Sequence, residues 1–321
     1  MDLGSLASML PQVFIDGLTL GFLYAVVALG YTMVYGILEL INFAHGEIFM
    51  VGAFIGTEVL LLMQAMGIMS GLNPYLALFL ALGVAMIFTG ALGVSIERVA
   101  YRPLRFSPRL VVLISAIGVS FLLQDLVRFT EGMTRNAFYV TGPNLLDGSL
   151  HVMDGLILEE KSLVIILIAL IMMVGLHLFV NKTKWGIAMR AVAQDQQTAS
   201  LMAINVNKVI ALTFFIGSSL GGAAGVLYAQ YYGTIDPYIG FLLGLKAFTA
   251  AVLGGIGNMK GAMIGGIALG LLESLGAAYM GPLTNGNFGA EYKDVFAFSI
   301  LIIVLLFRPE GIFGEAVNEK V

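Results

Sequence analysis

The stretch Asn42-Phe43-Ala44-His45-Gly46-Glu47 decides how this chain folds, because it is a short polar break between two apolar segments, Val13–Leu38 and Ile48–Met66. Each of those segments is long enough to enter a bilayer. Asn42 stands where an N-cap belongs, and Glu47 falls in the first turn of the following helix, where the dipole favours an acid. Broken helices at membrane depth face a cavity. A plain cytoplasmic turn between two spans would use the same residues.

Composition settles the class. The chain is 59% hydrophobic and 11% charged, against roughly 45–50% and about 25% in soluble domains. So few charges cannot cover a soluble surface. The apolar runs are continuous and rich in Leu, Ile, Ala and Gly, which gives helices, whereas a barrel would show short alternating segments. With no cysteine, disulfides, thiolate catalysis and thiolate metal sites are excluded together. The first twelve residues contain no Lys or Arg, so the basic region of a signal peptide is missing and Val13–Leu38 is expected to be a retained span.

Candidate spans are Val13–Leu38, Ile48–Met66, Tyr75–Ile96, Leu110–Phe129, Leu163–Val180, Val209–Tyr231, Phe241–Ile256, Ala262–Met280 and Val295–Phe307. The fold expected is an all-α polytopic membrane protein of eight to nine transmembrane helices. Phe241–Ile256 carries Lys246 and is barely long enough to cross, so it is either spanning or re-entrant. Glu97–Arg109 holds Arg98, Arg102, Arg105 and Arg109, and Asn181–Lys208 holds Lys182, Lys184, Arg190 and Lys208. Glu131–Lys161 is dominated by Glu131, Asp147, Asp154, Glu159 and Glu160. The excess of positive charge places the first two segments in the cytoplasm and the third outside. Counting crossings from these anchors puts the N-terminus outside, the Asn42 break inside, and the tail with Arg308 and Lys320 inside.

Sliding Val13–Ile55 along the chain by 194 residues brings Leu18-Thr19 onto Leu212-Thr213, Asn42 onto Asp236, Gly46 onto Gly240 and Ala53 onto Ala247. The charge argument runs the first of these spans inward and the second outward, as an inverted repeat requires. The expected organisation is a single transmembrane domain over 1–321. Its inverted halves are 13–129 and 208–307, joined by a linking helix 163–180 and a cytoplasmic segment 182–207. Gly17/Gly21, Gly221/Gly225, Gly261/Gly265 and Gly266/Gly270 each place two small residues on one helix face, which lets backbones approach closely.

Ionisable residues at membrane depth are expensive and mark paired or functional positions. Glu58 and Glu273 are the deepest by position, with Glu273 and Lys246 expected in a buried pairing or a pore lining. Asp16, His45, Glu47 and Asp236 lie nearer to breaks and helix ends, where water would satisfy them equally well. No catalytic or metal-binding constellation is present: His45, His151 and His177 are far apart, and no nucleotide-binding or hydrolase motif occurs. Gly254–Gly261 lacks the phosphate-loop spacing, so any ATP-driven step needs another subunit. In Trp185–Asn205, Ala191, Gln194 or Asp195, Thr198 and Met202 recur at three- and four-residue spacing. That pattern predicts one short amphipathic helix on the cytoplasmic face, either docked in a partner's groove or resting on headgroups.

Gly30-Tyr31-Thr32-Met33-Val34-Tyr35-Gly36, Ile41–Glu47, Glu97-Arg98-Val99-Ala100-Tyr101-Arg102-Pro103-Leu104-Arg105, Ala199–Asn205 and Lys246–Gly257 together resemble the permeases of bacterial branched-chain amino-acid ABC transporters, of the LivH type. The resemblance runs from about Val13 to Gly314. It implies an inner-membrane, non-catalytic subunit that imports leucine, isoleucine or valine. It also implies a homologous second permease, two cytoplasmic ATPases that carry ATP and Mg, and a periplasmic binding protein, with no cofactor on this chain and no nucleic acid. Permeases for urea, amides or other amino acids share these motifs, and an ion-coupled secondary transporter would also explain inverted halves and intramembrane acids. The resemblance places the ATPase coupling helix at Trp185–Asn205, with Arg190, Ala191, Gln194, Asp195, Ala199, Met202 and Ile204 as its contact residues. For a zwitterionic head group, Asn42, His45, Glu47 and Asp236 are the candidate contacts.

Overall fold

The computed structural model describes residues 3–153, 156–308 and 310–314; Asp154 and Lys320, counted above among the topological charges, lie outside them. The helices are α1 (Leu3–Leu38), α2 (His45–Ala65), α3 (Pro74–Ile96), α4 (Arg109–Arg135), α5 (Glu160–Lys182), α6 (Lys184–Gln194), α7 (Gln196–Leu201), α8 (Val206–Tyr232), α9 (Ile239–Gly254), α10 (Met259–Leu283) and α11 (Lys293–Phe307). Each of the nine apolar segments is helical, as α1 to α5 and α8 to α11. The chain is thus an all-α polytopic membrane protein, and seven described helices are long and apolar enough to cross a bilayer. The other two, α9 with 16 residues and α11 with 15, are about 24 and 22 Å long, short of the roughly 30 Å hydrocarbon core.

Two short strand pairs were not foreseen. β1 (Val140–Thr141) pairs antiparallel with β4 (Thr234–Ile235), and β2 (Ser149–Met153) with β3 (Leu156–Glu159). Strands this short carry no periodic signal, and β1–β4 joins residues about ninety positions apart.

The chain forms two compact units. One comprises Leu29–Leu145 and Met172–Leu245. Inside it, α2, α3 and α8 pack backbone to backbone. A Cβ on Gly52 would lie 2.3 Å from Gly222 Cα, and one on Gly225 would lie 2.1 Å from Phe49 O. The β1–β4 clip closes over a core of Met50, Phe54, Val140, Ala229 and Ile235. The other unit comprises Met1–Ala28, Leu146–Ile171 and Lys246–Val321. There Gly17 and Gly21 meet Leu271 and Ile267, while Gly266 and Gly270 meet Ala25 and Gly21. The small-residue stripes read from the sequence are therefore helix contacts. Without a hydrophobic drive between helices in lipid, close van der Waals approach supplies the attraction.

Helix ends follow local chemistry. Thr183, Asp195, Asn205 and Asn258 cap α6, α7, α8 and α10 through their side-chain oxygens. At the decisive break the expectation is corrected: α2 starts at His45 after Ala44, which makes no side-chain cap, and Asn42 is not its N-cap. The Asn42 carbonyl accepts from His45 N–H at 3.0 Å, and its side chain is engaged elsewhere. Glu47 does lie in the first turn.

Candidate substrate pathway and coupling segment

The break after α1 gathers a polar cluster in the core of its unit. Asn42, His45 and Glu47 are 4%, 0% and 1% exposed. Tyr101, at the end of α3's continuation, donates its hydroxyl to Asn42 Oδ1 at 2.6 Å. Ser120 of α4 donates to Glu47 Oε1 at 3.2 Å. Tyr31 of α1 meets His45 edge-on, with ring centroids 4.7 Å apart. The break therefore carries two hydrogen-bonded pairs, Ser120–Glu47 and Tyr101–Asn42. Two of its atoms, Glu47 Oε2 and Asn42 Nδ2, are buried without a hydrogen-bond partner among the described residues. Buried polar groups left in this way are uncommon and expensive.

The start of α9 completes the cluster. A Cβ on Gly240 would lie 2.3 Å from Glu47 Oε2 and 2.8 Å from Gly46 O, and one on Gly46 would lie 2.3 Å from Gly240 O. These two glycines contact each other reciprocally and stand 194 residues apart. The same spacing separates the ends of α1 and α8, Leu38 and Tyr232, and the starts of α2 and α9, His45 and Ile239. Asp236 is half-buried and accepts from Tyr238 N–H at 2.8 Å, so its carboxylate shapes the turn into α9. Sequence reasoning missed Tyr31, Tyr101 and Ser120 as members of this site, because they come from three other helices. Only the glycine pairing had a signal, in the repeat alignment.

A second buried cluster lies in the other unit. Glu273 of α10 accepts from Tyr24 at 2.7 Å and from Lys246 of α9 at 2.9 Å. Lys293 reaches the same carboxylate at 3.0 Å, and Lys246 also meets Asp294 at 2.7 Å. Two cations thus face two anions, the buried pairing expected for Lys246 and Glu273. Glu58 is half-exposed on the protein surface, with its side chain 39% exposed, and pairs with Arg135 of α4 at 2.6 Å. Helix phase turns it away from the α2–α8 contact.

The coupling segment departs from one continuous helix. It breaks at Asp195 into α6 and α7, because the Asp195 carboxylate caps the second helix through Gln197 N–H, Thr198 N–H and the Thr198 hydroxyl. Those donors hold its pKa below the ordinary carboxylate value. The buried stripe is Gly186, Met189, Val192 and Ala199. Arg190 donates to Val180 O at the end of α5, and Ile204 N–H reaches Ala199 O at 3.2 Å. Ala191 and Ile204 are half-buried, while Gln194, Asp195 and Met202 are exposed. Gln196 ties α7 to Ile37 O at 3.2 Å. Beside it, a cleft of about 270 Å³ is lined by Leu38, Glu39, Arg105, Phe106, Arg109 and Gln196.

Among the described residues no group of three or more His, Asp or Glu side chains could hold a metal ion. The family model for the branched-chain amino acid transport system permease component matches residues 13–305. A protein described as the high-affinity branched-chain amino acid transport system permease protein BraD of Pseudomonas aeruginosa is 47% identical over 97% of both chains. The corresponding protein LivH of Escherichia coli K12 is 46% identical over 97% of both. A probable branched-chain amino acid transport permease protein of Methanocaldococcus jannaschii is 31% identical over 91% of this chain and 89% of that one. With the family model spanning nearly all of its apolar helices and relatives aligned from end to end, the chain belongs to the family of branched-chain amino acid transport system permease components.

Proposed function

We propose that this chain is the non-catalytic membrane subunit of an ATP-driven importer that moves leucine, isoleucine and valine across the bacterial inner membrane. The observation that carries this reading is the end-to-end alignment, at 46–47% identity, with permeases named for branched-chain amino acids. It pairs with a homologous second permease, receives substrate from a periplasmic binding protein, and couples to two cytoplasmic ATPases that hold ATP and Mg. This chain binds no cofactor of its own. Its N-terminus faces the periplasm and its C-terminus the cytoplasm. The α6–α7 segment, with Arg190, Ala191, Gln194, Asp195, Ala199, Met202 and Ile204, transmits ATPase movement, and the exposed Gln194, Asp195 and Met202 are its outward contacts.

The halves 13–129 and 208–307 are inverted repeats. The reciprocal Gly46–Gly240 contact supports this, since equivalent residues touch where a pseudo-two-fold axis passes. Asn42, His45, Glu47 and Asp236 border the substrate pathway. The test is purification of the chain from its own membrane, followed by reconstitution with whatever remains bound. ATP-dependent leucine uptake with a stoichiometric ATPase and a second permease supports the importer. Uptake by the chain alone, without ATP, would replace it with an ion-coupled transporter, and uptake of urea or amides instead of leucine would replace the substrate.

A further inference from the structure

We propose that Glu47 and Asn42 divide the head group of the translocated amino acid between them: Glu47 Oε2 accepts the α-ammonium, and Asn42 Nδ2 donates to the α-carboxylate. This rests on the amino-acid importer reading and assigns atoms within it.

Glu47 is a carboxylate 1% exposed, and among the described residues no Lys, Arg or His forms an ion pair with it. Ser120 satisfies one oxygen, and the other is buried and unpartnered. A carboxyl buried without a cation is neutralised either by a proton or by a positive group that a ligand brings, and Oε2 is the acceptor such a group would meet. Asn42 presents the complementary valence. Its side-chain oxygen accepts from the Tyr101 hydroxyl, and its donor Nδ2 is buried without a hydrogen-bond partner among the described residues. One unmet acceptor and one unmet donor, five residues apart on the same break, suit a zwitterion. A metal ion does not fit, since hard cations ask for six or more oxygens and no such group exists among the described residues.

Gly240 explains why the carboxylate stands where it does. Any side chain there would occupy the position of Glu47 Oε2, 2.3 Å from its Cβ. The reciprocal approach of Gly46 and Gly240 thus makes the space in which the acid is held.

The experiment uses the whole importer in proteoliposomes: this chain, its partner permease, the ATPases and the binding protein. If the unmodified complex takes up no leucine with ATP, the functional reading fails before this one is reached. If it does, the complex is treated with dicyclohexylcarbodiimide and labelling at Glu47 is followed by peptide mass spectrometry. Leucine is expected to slow labelling about threefold or more, and 4-methylpentanoate, which lacks the ammonium, to leave it unchanged. No labelling, or a rate indifferent to leucine, overturns the proposal. In Asn42→Ala, the leucine concentration giving half-protection should rise about fivefold; an unchanged value removes Asn42 from the site. Glu47→Gln, recovered as an assembled complex, should lose about tenfold or more in leucine uptake, and uptake within about twofold of the parent overturns the assignment. Protection of the unmodified protein decides the matter if that variant does not assemble.

Discussion

The two buried polar clusters of this chain treat charge in opposite ways. Around Glu273, two acids meet two lysines and a tyrosine hydroxyl, each within 3.0 Å. Around Glu47 a single acid meets the Ser120 hydroxyl and the Gly240 backbone, and one of its oxygens has no partner among the described residues. A set in which each acid has a lysine beside it is a structural tie among α1, α9, α10 and α11. An uncompensated acid lowers stability, and proteins keep such groups where function needs them. Burial alone therefore does not distinguish a tie from a site; the presence of a partner cation does.

The contrast breaks most visibly at Glu273. Glu273→Ala leaves two lysines facing one aspartate in a buried place and should cost about 3–5 kcal/mol, read as a loss of thermal stability in nanodiscs. Replacing Glu273 and Lys246 together with Leu and Met removes one charge of each sign and should lose far less. A single variant as stable as the double would abolish the idea of a tie.

Next in size is Gly240→Ala. The new methyl collides with both Gly46 O and the Glu47 carboxylate and should cost about 1–3 kcal/mol. Gly118→Ala, with nothing within 4 Å of its Cβ, should be neutral or stabilising by up to about 1 kcal/mol. Equal effects at the two glycines would show that close approach does not matter there.

Glu47→Gln sharpens the comparison by its sign. It replaces a buried acid that has no cation beside it with a neutral isostere, so thermal stability should hold or rise by about 1 kcal/mol while uptake falls. A large destabilisation would instead make Glu47 a second tie.

The smallest effect belongs to the exposed cap at Asp195. Its carboxylate titrates below the ordinary value of 3.8 because the Thr198 hydroxyl, Thr198 N–H and Gln197 N–H favour the charged form. The folded-state pKa is depressed, so the stabilising contribution is fully present above the ordinary value and fades as pH falls through the lowered one. Hydrogen exchange over Gln196–Leu201 should accelerate in Asp195→Ala at neutral pH. It should show no such difference at a pH below the lowered pKa, once intrinsic exchange rates are corrected. A difference that persists there would mean the cap does not depend on the charge.

Much of this architecture was legible. Apolar runs of span length have no other stable home than a bilayer, and each became a helix. The glycine spacings became backbone contacts because only small residues permit that approach. The polar break was found where Asn42 to Glu47 interrupts the pattern, although α2 starts three residues after Asn42 and no cap forms from it. The split of the coupling segment was readable in hindsight, since Asp195 is a preferred N-cap residue. The amphipathic period across Ala191 to Met202 masked it.

What the sequence determined by itself is the membrane class, the number of apolar helices, the place of the break and the family, because hydropathy, glycine spacing and end-to-end motifs are local properties that survive without coordinates. Tertiary structure alone decided that Glu58 pairs at a half-exposed position while Glu273 is buried among lysines. It alone brought Tyr101 to Asn42, Ser120 to Glu47 and Gly240 to Gly46. Those partners come from helices separated by 59, 73 and 194 residues, and the physical reason is that pairing depends on which faces meet when helices pack, which no local pattern encodes.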